Sequence, residues 1–334
     1  MSNLGKPEFV ITIGASAGGL NAMTEVVSQL PEEMNAAVFI VLHLSKVGLG
    51  DFLIHRLQKY TNYRVKLGEN GERIKADHIY VAPPDEHLLV KDGHIVIGQG
   101  PTENRWRPSI DVLFRSAAVS YGNRVIGIVL TGFLNDGTSG MSAIKRSGGY
   151  CIVQDPNQAE YPDMPLSVLE SMEVDFCVPL NKMGATIKGI LEKELPEQNT
   201  VPAEVVKEAE IAAKVVTSID NVAKLSTSHS VYACPDCGGG LWNLEDDAIK
   251  RYRCHIGHSY TEKDLLVKQG ESLEATLWIA LRMMEERRSL LMKLSEDDTG
   301  KGLSRLALSH RQRAMDLEKH IQKLKEVLFL TKKD

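Results

Sequence analysis

The sequence has no long hydrophobic run, no large excess of charge of either sign and few aromatic residues. Its longest uninterrupted apolar segment, Ala36 to Leu42, has seven residues, whereas a membrane-spanning helix needs about 20. The 39 basic and 44 acidic residues leave a net charge of −5, which indicates neither a nucleic-acid-binding surface nor an acidic tail. No apolar signal segment follows Met1. We therefore expect a cytoplasmic protein that does not insert into a membrane and does not bind nucleic acid.

Cysteine is also scarce, and its number is odd. Three of the five cysteines fall between residues 234 and 254, which favours a metal site in a reducing compartment over a disulfide framework. Cys151 and Cys177 lie in predicted buried strands, and we interpret both as inert core residues.

The first 195 residues alternate strand-like and helical patterns, which predicts a doubly wound α/β domain. Several predicted strands are apolar at successive positions, as in a parallel sheet that is covered on both faces. The turn Asp92-Gly93 within Leu88 to Ile97 predicts an antiparallel hairpin, so we expect a mostly parallel sheet with an antiparallel part. The predicted strands are Phe9 to Ile13, Ala37 to Leu42, Ile79 to Ala82, Val125 to Thr131, Tyr150 to Gln154 and Val174 to Val178.

The rest of the chain is expected to hold three further regions. Prolines and a Ser/Thr-rich stretch predict a linker over residues 196–230, with a short helix around Val205 to Val216. A compact Cys/His module follows over residues 231–260. Two long helical patterns, separated by Gly300-Lys301-Gly302, predict an antiparallel helical hairpin over residues 261–330. The catalytic candidates below all lie in the first domain, residues 8–195.

Ser16 lies in a glycine-rich turn, Gly14 to Gly19, between a predicted strand and a helix. The turn contains the Gly-x-Ser-x-Gly pattern of a nucleophile elbow. It would expose the hydroxyl at the carboxyl edge of the sheet, beside N–H groups of a helix start. A phosphate- or dinucleotide-binding turn is the alternative, but the next strand lacks the expected acidic residue and the motif lacks the lysine of a P-loop. Ser16 is therefore our candidate nucleophile, with the Ala17 N–H as the candidate oxyanion donor.

His43 and Asp136 follow two other predicted strands at their carboxyl ends. A serine nucleophile needs a base, and the base needs a group that orients it. Each residue alone has an ordinary interpretation: His43 as a core or capping histidine, Asp136 as a helix N-cap. Because three strands deliver serine, histidine and aspartate to one edge, we predict a catalytic triad of Ser16, His43 and Asp136.

Five motifs follow one another along the first domain: Gly14 to Gly19, Leu42-His43, Ile79 to Pro84, Asn104 to Asp111 and Leu130 to Gly137. Together they resemble the chemotaxis-receptor methylesterases of the CheB family, over roughly residues 8 to 192. The resemblance implies that Ser16, His43 and Asp136 are the catalytic residues of a protein-glutamate methylesterase, with glutamine deamidation as a second activity. It implies methylated chemoreceptors or related signalling proteins as substrates and no cofactor for catalysis.

The sequence also departs from the family pattern. Ala17 and Phe133 stand where family members often carry threonine and methionine, so Phe133 is a candidate substrate-binding residue and the fit of the substrate is in question. Arg105 and Arg107 are candidates to guide an acidic receptor helix, or else are solvated or internally paired. Chemotaxis members carry an N-terminal receiver domain, and with the first strand near residue 9 we expect none here.

Cys234 and Cys237 are followed by Cys254 and His258, a spacing typical of two ligand pairs that close a tetrahedron around zinc. A redox Cys-x-x-Cys is the alternative, although it would not need Cys254 or His258. His255 competes with His258 as fourth ligand, and we prefer His258 because its spacing allows a cleaner turn. We expect a structural zinc ion.

Two classes of function remain open. The first is the methylesterase, or a hydrolase of the same mechanism with another substrate. The second is a weakly catalytic regulatory module that binds a signalling partner through its zinc module and helical hairpin.

Overall fold

The computed structural model describes residues 7–43, 49–193, 200–213, 228–244 and 249–330. The chain divides into two compact units, Met1–Asp264 and Leu265–Asp334. The first unit holds the predicted sheet domain together with the Cys/His module, and the second holds the helical hairpin. About half of the predicted linker, residues 196–199 and 214–227, lies outside the described residues. Its described part includes a helix, Ala203–Ala212, that overlaps the predicted short helix.

The centre of the first unit is a parallel sheet of seven strands in the order β3-β4-β2-β1-β7-β8-β9. The chain leaves β1 toward β2 on one side, and β7 lies on the other side, so the strand order reverses around β1. Open α/β sheets bind ligands in the crevice at such a point. The strands are β1 (Phe9–Ala15), β2 (Ala36–Leu42), β3 (Arg64–Leu67), β4 (His78–Val81), β7 (Val125–Val129), β8 (Tyr150–Gln154) and β9 (Phe176–Val178).

Helices cover both faces of this sheet. One core cluster includes Ile11, Ile13 and Ile40 with the apolar side of the first helix. The other includes Val10, Phe39 and Phe114. Alternate residues of one strand thus face opposite cores, which is why these strands are apolar throughout. The helices are α1 (Gly19–Ser28), α2 (Leu49–Gln58), α3 (Ile110–Tyr121), α4 (Thr138–Arg146), α5 (Asp163–Ser171), α6 (Met183–Leu191) and α7 (Ala203–Ala212).

The predicted hairpin forms, but it does not join the main sheet. Strands β5 (His87–Lys91) and β6 (His94–Gly98) make a separate antiparallel pair. Asp92 and Gly93 have φ of 49° and 76°, the left-handed pair that a tight hairpin turn requires. The predicted antiparallel hairpin is therefore confirmed. Only its placement differs from the expectation, since it forms a sheet of its own and the pairings of the main sheet among the described residues are all parallel.

The Cys/His module folds as a four-stranded antiparallel sheet, which we call the ribbon: residues 228–244 and 249–261. Its strands are β10 (His229–Ala233), β11 (Gly240–Leu244), β12 (Arg251–Cys254) and β13 (Ser259–Thr261). Leu241, Tyr252 and Tyr260 are buried. The ribbon belongs to the same compact unit as the main sheet.

The second unit is built from two long helices, α8 (Glu262–Gly300) and α9 (Ser304–Leu330). Ion pairs join Glu285 to Lys325 and Arg288 to Glu318. Residue numbers that increase along α8 therefore pair with residue numbers that decrease along α9. The helices are therefore antiparallel, as predicted. Ile321 of α9 is fully buried. Among the described residues, no helix is both long and apolar enough to cross a membrane.

Candidate active site

Ser16 lies directly after β1, in a turn held by backbone hydrogen bonds. Its N–H donates to the Thr131 carbonyl at 3.0 Å, and its own carbonyl accepts from the Gly19 N–H at 3.0 Å. Gly18, with φ of 71°, occupies the N-cap of α1, a conformation that favours glycine. Ser16 is thus placed at the start of a helix at the carboxyl edge of the sheet, as the glycine pattern predicts.

His43 lies next to Ser16 because β1 and β2 are neighbours in register, with Ala15 opposite Leu42. The His43 N–H donates to the Ala15 carbonyl at 3.1 Å. The imidazole is fully buried, and its Nε2 lies 2.9 Å from Asp136 Oδ2. Nδ1 has no hydrogen-bond partner among the described residues. Since Asp136 occupies Nε2, Nδ1 is the ring nitrogen left to exchange a proton with a nucleophile.

Asp136 is buried and accepts hydrogen bonds on both oxygens. Its partners besides His43 are Asn104 Nδ2 (2.9 Å), Ser109 Oγ (2.9 Å) and the N–H groups of Ile110 (2.7 Å) and Asp111 (3.2 Å). Two of these donors belong to the first turn of α3, so the carboxylate also caps that helix. Burial raises the pKa of Asp136, but hydrogen bonding and charge from His43, with donors from Asn104 and Ile110, bring it below its ordinary value.

Asp136 is therefore both a helix cap and the partner of His43. The alternative considered from the sequence was an N-cap, and the structure shows a cap on α3 rather than on the helix that follows it. Ser109 is the N-cap residue of α3, but its side chain makes no cap hydrogen bond. Its hydroxyl donates to Asp136 instead.

A family model described as CheB methylesterase matches residues 11–187. The chain belongs to the CheB methylesterase family. A Leptospira interrogans protein is 41% identical over 175 residues, covering 52% of this chain and 90% of the relative. A protein-glutamate methylesterase/protein-glutamine glutaminase of Thiobacillus denitrificans is 38% identical over 180 residues, covering 53% of this chain and 50% of that protein.

A solved structure gives the same family. The crystal structure of the Thermotoga maritima CheB methylesterase catalytic domain matches with 30% identity and a TM-score of 0.52, covering 55% of this chain and 97% of that chain. The chain spans about half the length of the Thiobacillus relative. The CheB methylesterase match ends at residue 187, so the ribbon and the helical hairpin lie outside it.

The other residues predicted around the CheB methylesterase site are placed as follows. Ala17 is held by its carbonyl, which accepts from Thr131 Oγ1 at 3.1 Å. Phe133 is 51% exposed and packs against Tyr161 with ring centroids 4.4 Å apart. Arg107 is internally paired, with Nε and Nη2 on Asp85 Oδ1 at 2.9 and 2.8 Å. This pairing is the alternative considered for that arginine.

Arg105 has a left-handed backbone conformation, which its sequence does not predict. Its φ is 70° and that of Asn104 is 49°, so two consecutive non-glycine residues lie in the left-handed region. For Arg105 this conformation costs about 1 kcal/mol or more, whereas asparagine adopts it more readily. Asn104 is 1% exposed and Arg105 is half-buried.

Sequence reasoning missed two side chains that touch the His43–Asp136 pair. Trp106 stacks on His43, with ring centroids 4.2 Å apart and 9° between planes. Asn104 donates to Asp136 at 2.9 Å and to Asp111 Oδ2 at 2.7 Å. Burial and the neighbouring Asp136 charge raise the pKa of Asp111 to about 7, so Asn104 bridges two carboxyl groups of different acidity. The only signal was their place in the motif Asn104 to Asp111.

The four predicted ligands in the ribbon come together. Cys234, Cys237, Cys254 and His258 each offer one ligand atom, and these atoms all lie within 4.8 Å of one another. Cys237 Sγ and Cys254 Sγ are 3.7 Å apart, and Cys254 Sγ lies 3.5 Å from His258 Nδ1. The cluster can hold a metal ion. His255 is not part of this cluster; its ring lies against Gly239.

Proposed function

We propose that this chain is a protein-glutamate methylesterase, and a protein-glutamine glutaminase, that acts through Ser16, His43 and Asp136. The observation that carries the proposal is the buried His43–Asp136 pair at 2.9 Å, directly beside the serine turn at the strand-order reversal of a CheB methylesterase fold. Relatives with that fold are named for these activities.

The first half of the reaction forms an acyl-enzyme. Ser16 Oγ attacks the side-chain carbonyl carbon of a glutamyl methyl ester, and its proton passes to His43 Nδ1. Asp136 on Nε2 fixes the ring and stabilises the imidazolium. His43 then returns the proton to the leaving oxygen, and methanol departs; from glutamine the leaving group is ammonia.

The second half hydrolyses the acyl-enzyme. Water attacks the ester carbonyl while His43 takes its proton, and collapse of the tetrahedral intermediate restores Ser16 and frees the glutamate side chain. The stacking of Trp106 on His43 supports this cycle because an aromatic face attracts a cation, so it favours the imidazolium in both halves.

For the remaining site residues we retain proposed roles. The Ala17 N–H is the candidate oxyanion donor, because it follows the nucleophile at a helix start; one such donor contributes roughly 10²- to 10³-fold to the rate. Phe133, Arg105 and Arg107 are proposed to contact substrate. The exposure of Phe133 supports its role, whereas the Asp85 pairing of Arg107 makes that residue the weakest candidate.

We propose zinc as the metal of the Cys/His cluster. Zinc prefers thiolate and imidazole ligands in a tetrahedron, and a Zn–S bond of about 2.3 Å gives ligand separations of roughly 3.8 Å. Three ligand separations suit such a site: 3.7 Å for Cys234–His258, 3.7 Å for Cys237–Cys254 and 3.5 Å for Cys254–His258. All four ligand atoms lie within 4.8 Å of one another. Four protein ligands leave no open position, so the ion would be structural and would not take part in catalysis.

The proposed substrate is a methylated chemoreceptor or a related signalling protein, and the proposed location is the cytoplasm. The five cysteines form no disulfide, in keeping with a reducing compartment. The helical hairpin is proposed as a partner-binding element, because α8 exposes large apolar side chains that include Trp278, Met283 and Leu290.

The test is methanol release from a methylated chemoreceptor cytoplasmic domain. We expect Ser16→Ala to lower the rate by about 10⁴-fold or more and to change the free energy of unfolding by less than about 0.5 kcal/mol. Near-normal release by Ser16→Ala would show that another group is the nucleophile. No release by the unchanged protein would reject this substrate.

A further inference from the structure

The segment Thr102 to Trp106, which we call the Asn104 loop, touches both partners of the proposed catalytic pair. Asn104 donates to Asp136 at 2.9 Å, and Trp106 stacks on His43. Yet Asn104 and Arg105 both hold left-handed backbone conformations. Such backbone strain persists only where surrounding contacts impose it, so other parts of the chain must hold these two residues in place.

The ribbon, about 150 residues further along the chain, supplies several of these contacts. The Asn104 N–H donates to the Ser259 carbonyl at 2.9 Å, and the Ser259 N–H donates to the Thr102 carbonyl at 3.4 Å. Glu103 and Ser259 are paired as in a short parallel bridge. Strand β13 therefore holds the backbone of the Asn104 loop on either side of Glu103.

A buried ion pair reinforces this contact. Arg253 Nη2 donates to Glu103 Oε1 at 2.8 Å, and Arg115 pairs with the other carboxylate oxygen. Arg253 and Glu103 are 1% and 2% exposed. Burial raises the pKa of Glu103, but the charges of Arg115 and Arg253 outweigh it and lower the pKa to about 2. Neither charge can be left alone without a large desolvation cost.

A second contact from the ribbon reaches the residue before Asp136. Asn135 Nδ2 donates to Thr261 Oγ1 at 2.9 Å, and both side chains are buried. Strand β13 thus touches the loop that carries Asp136 as well as the loop that supports it.

These contacts flank the Cys/His cluster in sequence. Arg253 precedes the ligand Cys254, and Ser259 follows the ligand His258. The Cys254 N–H donates to the His258 carbonyl at 3.0 Å, so one tight turn carries two ligands and both ends of the contact with the Asn104 loop. A metal ion bound by these ligands would fix β12 against β13, and with them the positions of Arg253 and Ser259.

We propose that the ribbon is a structural part of the catalytic centre: Arg253 and Ser259 are positioning residues that hold the Asn104 loop against Asp136 and His43, and metal in the Cys/His cluster maintains them. The inference rests on the proposed function for its catalytic consequence, but the contact itself does not depend on the reaction.

The first experiment compares two buried arginines of β12. Arg253→Met removes one of the two positive charges that pair with Glu103, the one that the ribbon supplies. Arg251→Met is the matched control, because Arg251 is equally buried and donates to Glu208 of α7 at 2.6 and 2.8 Å. Its link to the Asn104 loop is indirect and runs through Glu208, which lies 3.4 Å from Arg115 and 4.0 Å from Arg253. We expect Arg253→Met to lower kcat about 10- to 100-fold with KM changed less than about threefold, and Arg251→Met to retain kcat within about threefold.

Arg253→Lys should restore part of the lost kcat, because an ammonium retains the charge beside Glu103. Equal losses of kcat in Arg251→Met and Arg253→Met would show general destabilisation and overturn the proposal. So would an unchanged kcat in a folded Arg253→Met protein.

The second experiment needs no substrate and applies even where Arg253→Met does not fold. Amide hydrogen exchange of the full chain is compared between protein loaded with Zn²⁺ and protein freed of metal by a chelator under reducing conditions. We expect exchange in residues 102–106 to rise at least about tenfold without metal, with β1 unchanged as the internal control. Exchange that rises only within the ribbon, with residues 102–106 unchanged, would reject the coupling.

The two experiments separate this inference from the proposed function. If the unchanged protein releases no methanol from the receptor, the proposed function fails, while the exchange measurement still tests the ribbon contact. If methanol is released and depends on Ser16, but metal and Arg253 affect neither kcat nor exchange, the inference alone fails.

Discussion

The two sides of the candidate site are built by different means. On the nucleophile side, Ser16 is placed by backbone hydrogen bonds to Thr131 and Gly19 and by glycines that permit close packing. Gly19 has Ala15 and Leu42 side chains so near that a Cβ would meet them at 2.6 and 2.7 Å. Close packing and backbone hydrogen bonds are thus the contacts that position Ser16.

On the orienting side, Asp136 depends on a network of polar and charged groups. It accepts from Asn104, Ser109 and the start of α3, and the Asn104 loop is in turn held by the ribbon. Glu103, Arg115 and Arg253 are buried with opposite charges in contact. A nucleophile can thus be positioned locally, whereas a buried carboxylate needs donors drawn from distant parts of the chain.

Asp136→Asn should produce the largest effect that separates the two sides. The amide presents a donor where Asp136 now accepts, and it cannot stabilise the imidazolium, so we expect methanol release to fall about 10³- to 10⁴-fold. Unlike Ser16→Ala, it should also lower the free energy of unfolding by about 2 kcal/mol, because buried donors lose their acceptor.

Urea unfolding of the two variants beside the unchanged protein checks this contrast. Equal stability of Asp136→Asn and Ser16→Ala would mean that the network around Asp136 contributes little to folding. The two sides would then differ in their contacts but not in how much they contribute to the stability of the fold.

Gly132→Ala tests the nucleophile side by sterics alone. A Cβ on Gly132 would lie 2.2 Å from Met164 Sδ and 2.8 Å from Ser16 Cβ. We expect a displaced Ser16 and a rate lower by about 10²-fold, with a stability loss of about 1 to 3 kcal/mol.

Gly189→Ala in α6 is the matched control, since nothing lies within 4 Å of its Cβ position. There we expect unchanged kcat and a gain of about 0.5 to 1 kcal/mol in the free energy of unfolding. Full activity in Gly132→Ala would show that the Ser16 turn can shift without cost.

Local patterns were enough to predict which residues the strand ends bring to the edge of the sheet. Ser16, His43 and Asp136 each follow an apolar strand, and parallel strands bring such ends to one edge. The ligand cluster was predictable for a similar reason, since Cys254 and His258 belong to one turn and the pairing of β11 with β12 returns Cys254 to the first pair.

The orienting side was not predictable from spacing. Arg251 and Arg253 lie in β12, and their local sequence does not indicate that Glu208 and Glu103 are their partners. Cys177 shows the same limit: it was predicted buried from its apolar strand, but β9 is the edge of the sheet and Cys177 is exposed. A strand's position in the sheet and a charge's distant partner are tertiary properties that periodicity does not carry.

On the orienting side we also expect the free energy of unfolding to depend on pH through Asp264, at the start of α8. This is the smallest effect that we predict. Thr261 Oγ1 donates to Asp264 Oδ2 at 2.6 Å, while Oδ1 is buried without a partner among the described residues. Burial, with a contribution from the Asp136 charge, raises the pKa of Asp264 to about 6. An aspartate with a raised pKa stabilises the fold below its unfolded pKa of about 3.9, and that contribution is lost as pH rises through about 6.

Asp264→Asn keeps the side chain neutral at every pH and should abolish this loss. The difference in free energy of unfolding between the unchanged protein and Asp264→Asn should therefore move by roughly 2 kcal/mol in favour of the variant between pH 4 and pH 7. Urea unfolding across that range measures it, and taking the difference cancels the titration of the metal ligands that both proteins share. A difference that stays constant with pH would mean that the pKa of Asp264 in the folded protein equals its unfolded value of about 3.9, and that the orienting side tolerates one more buried charge beside Asp136 than its donors indicate.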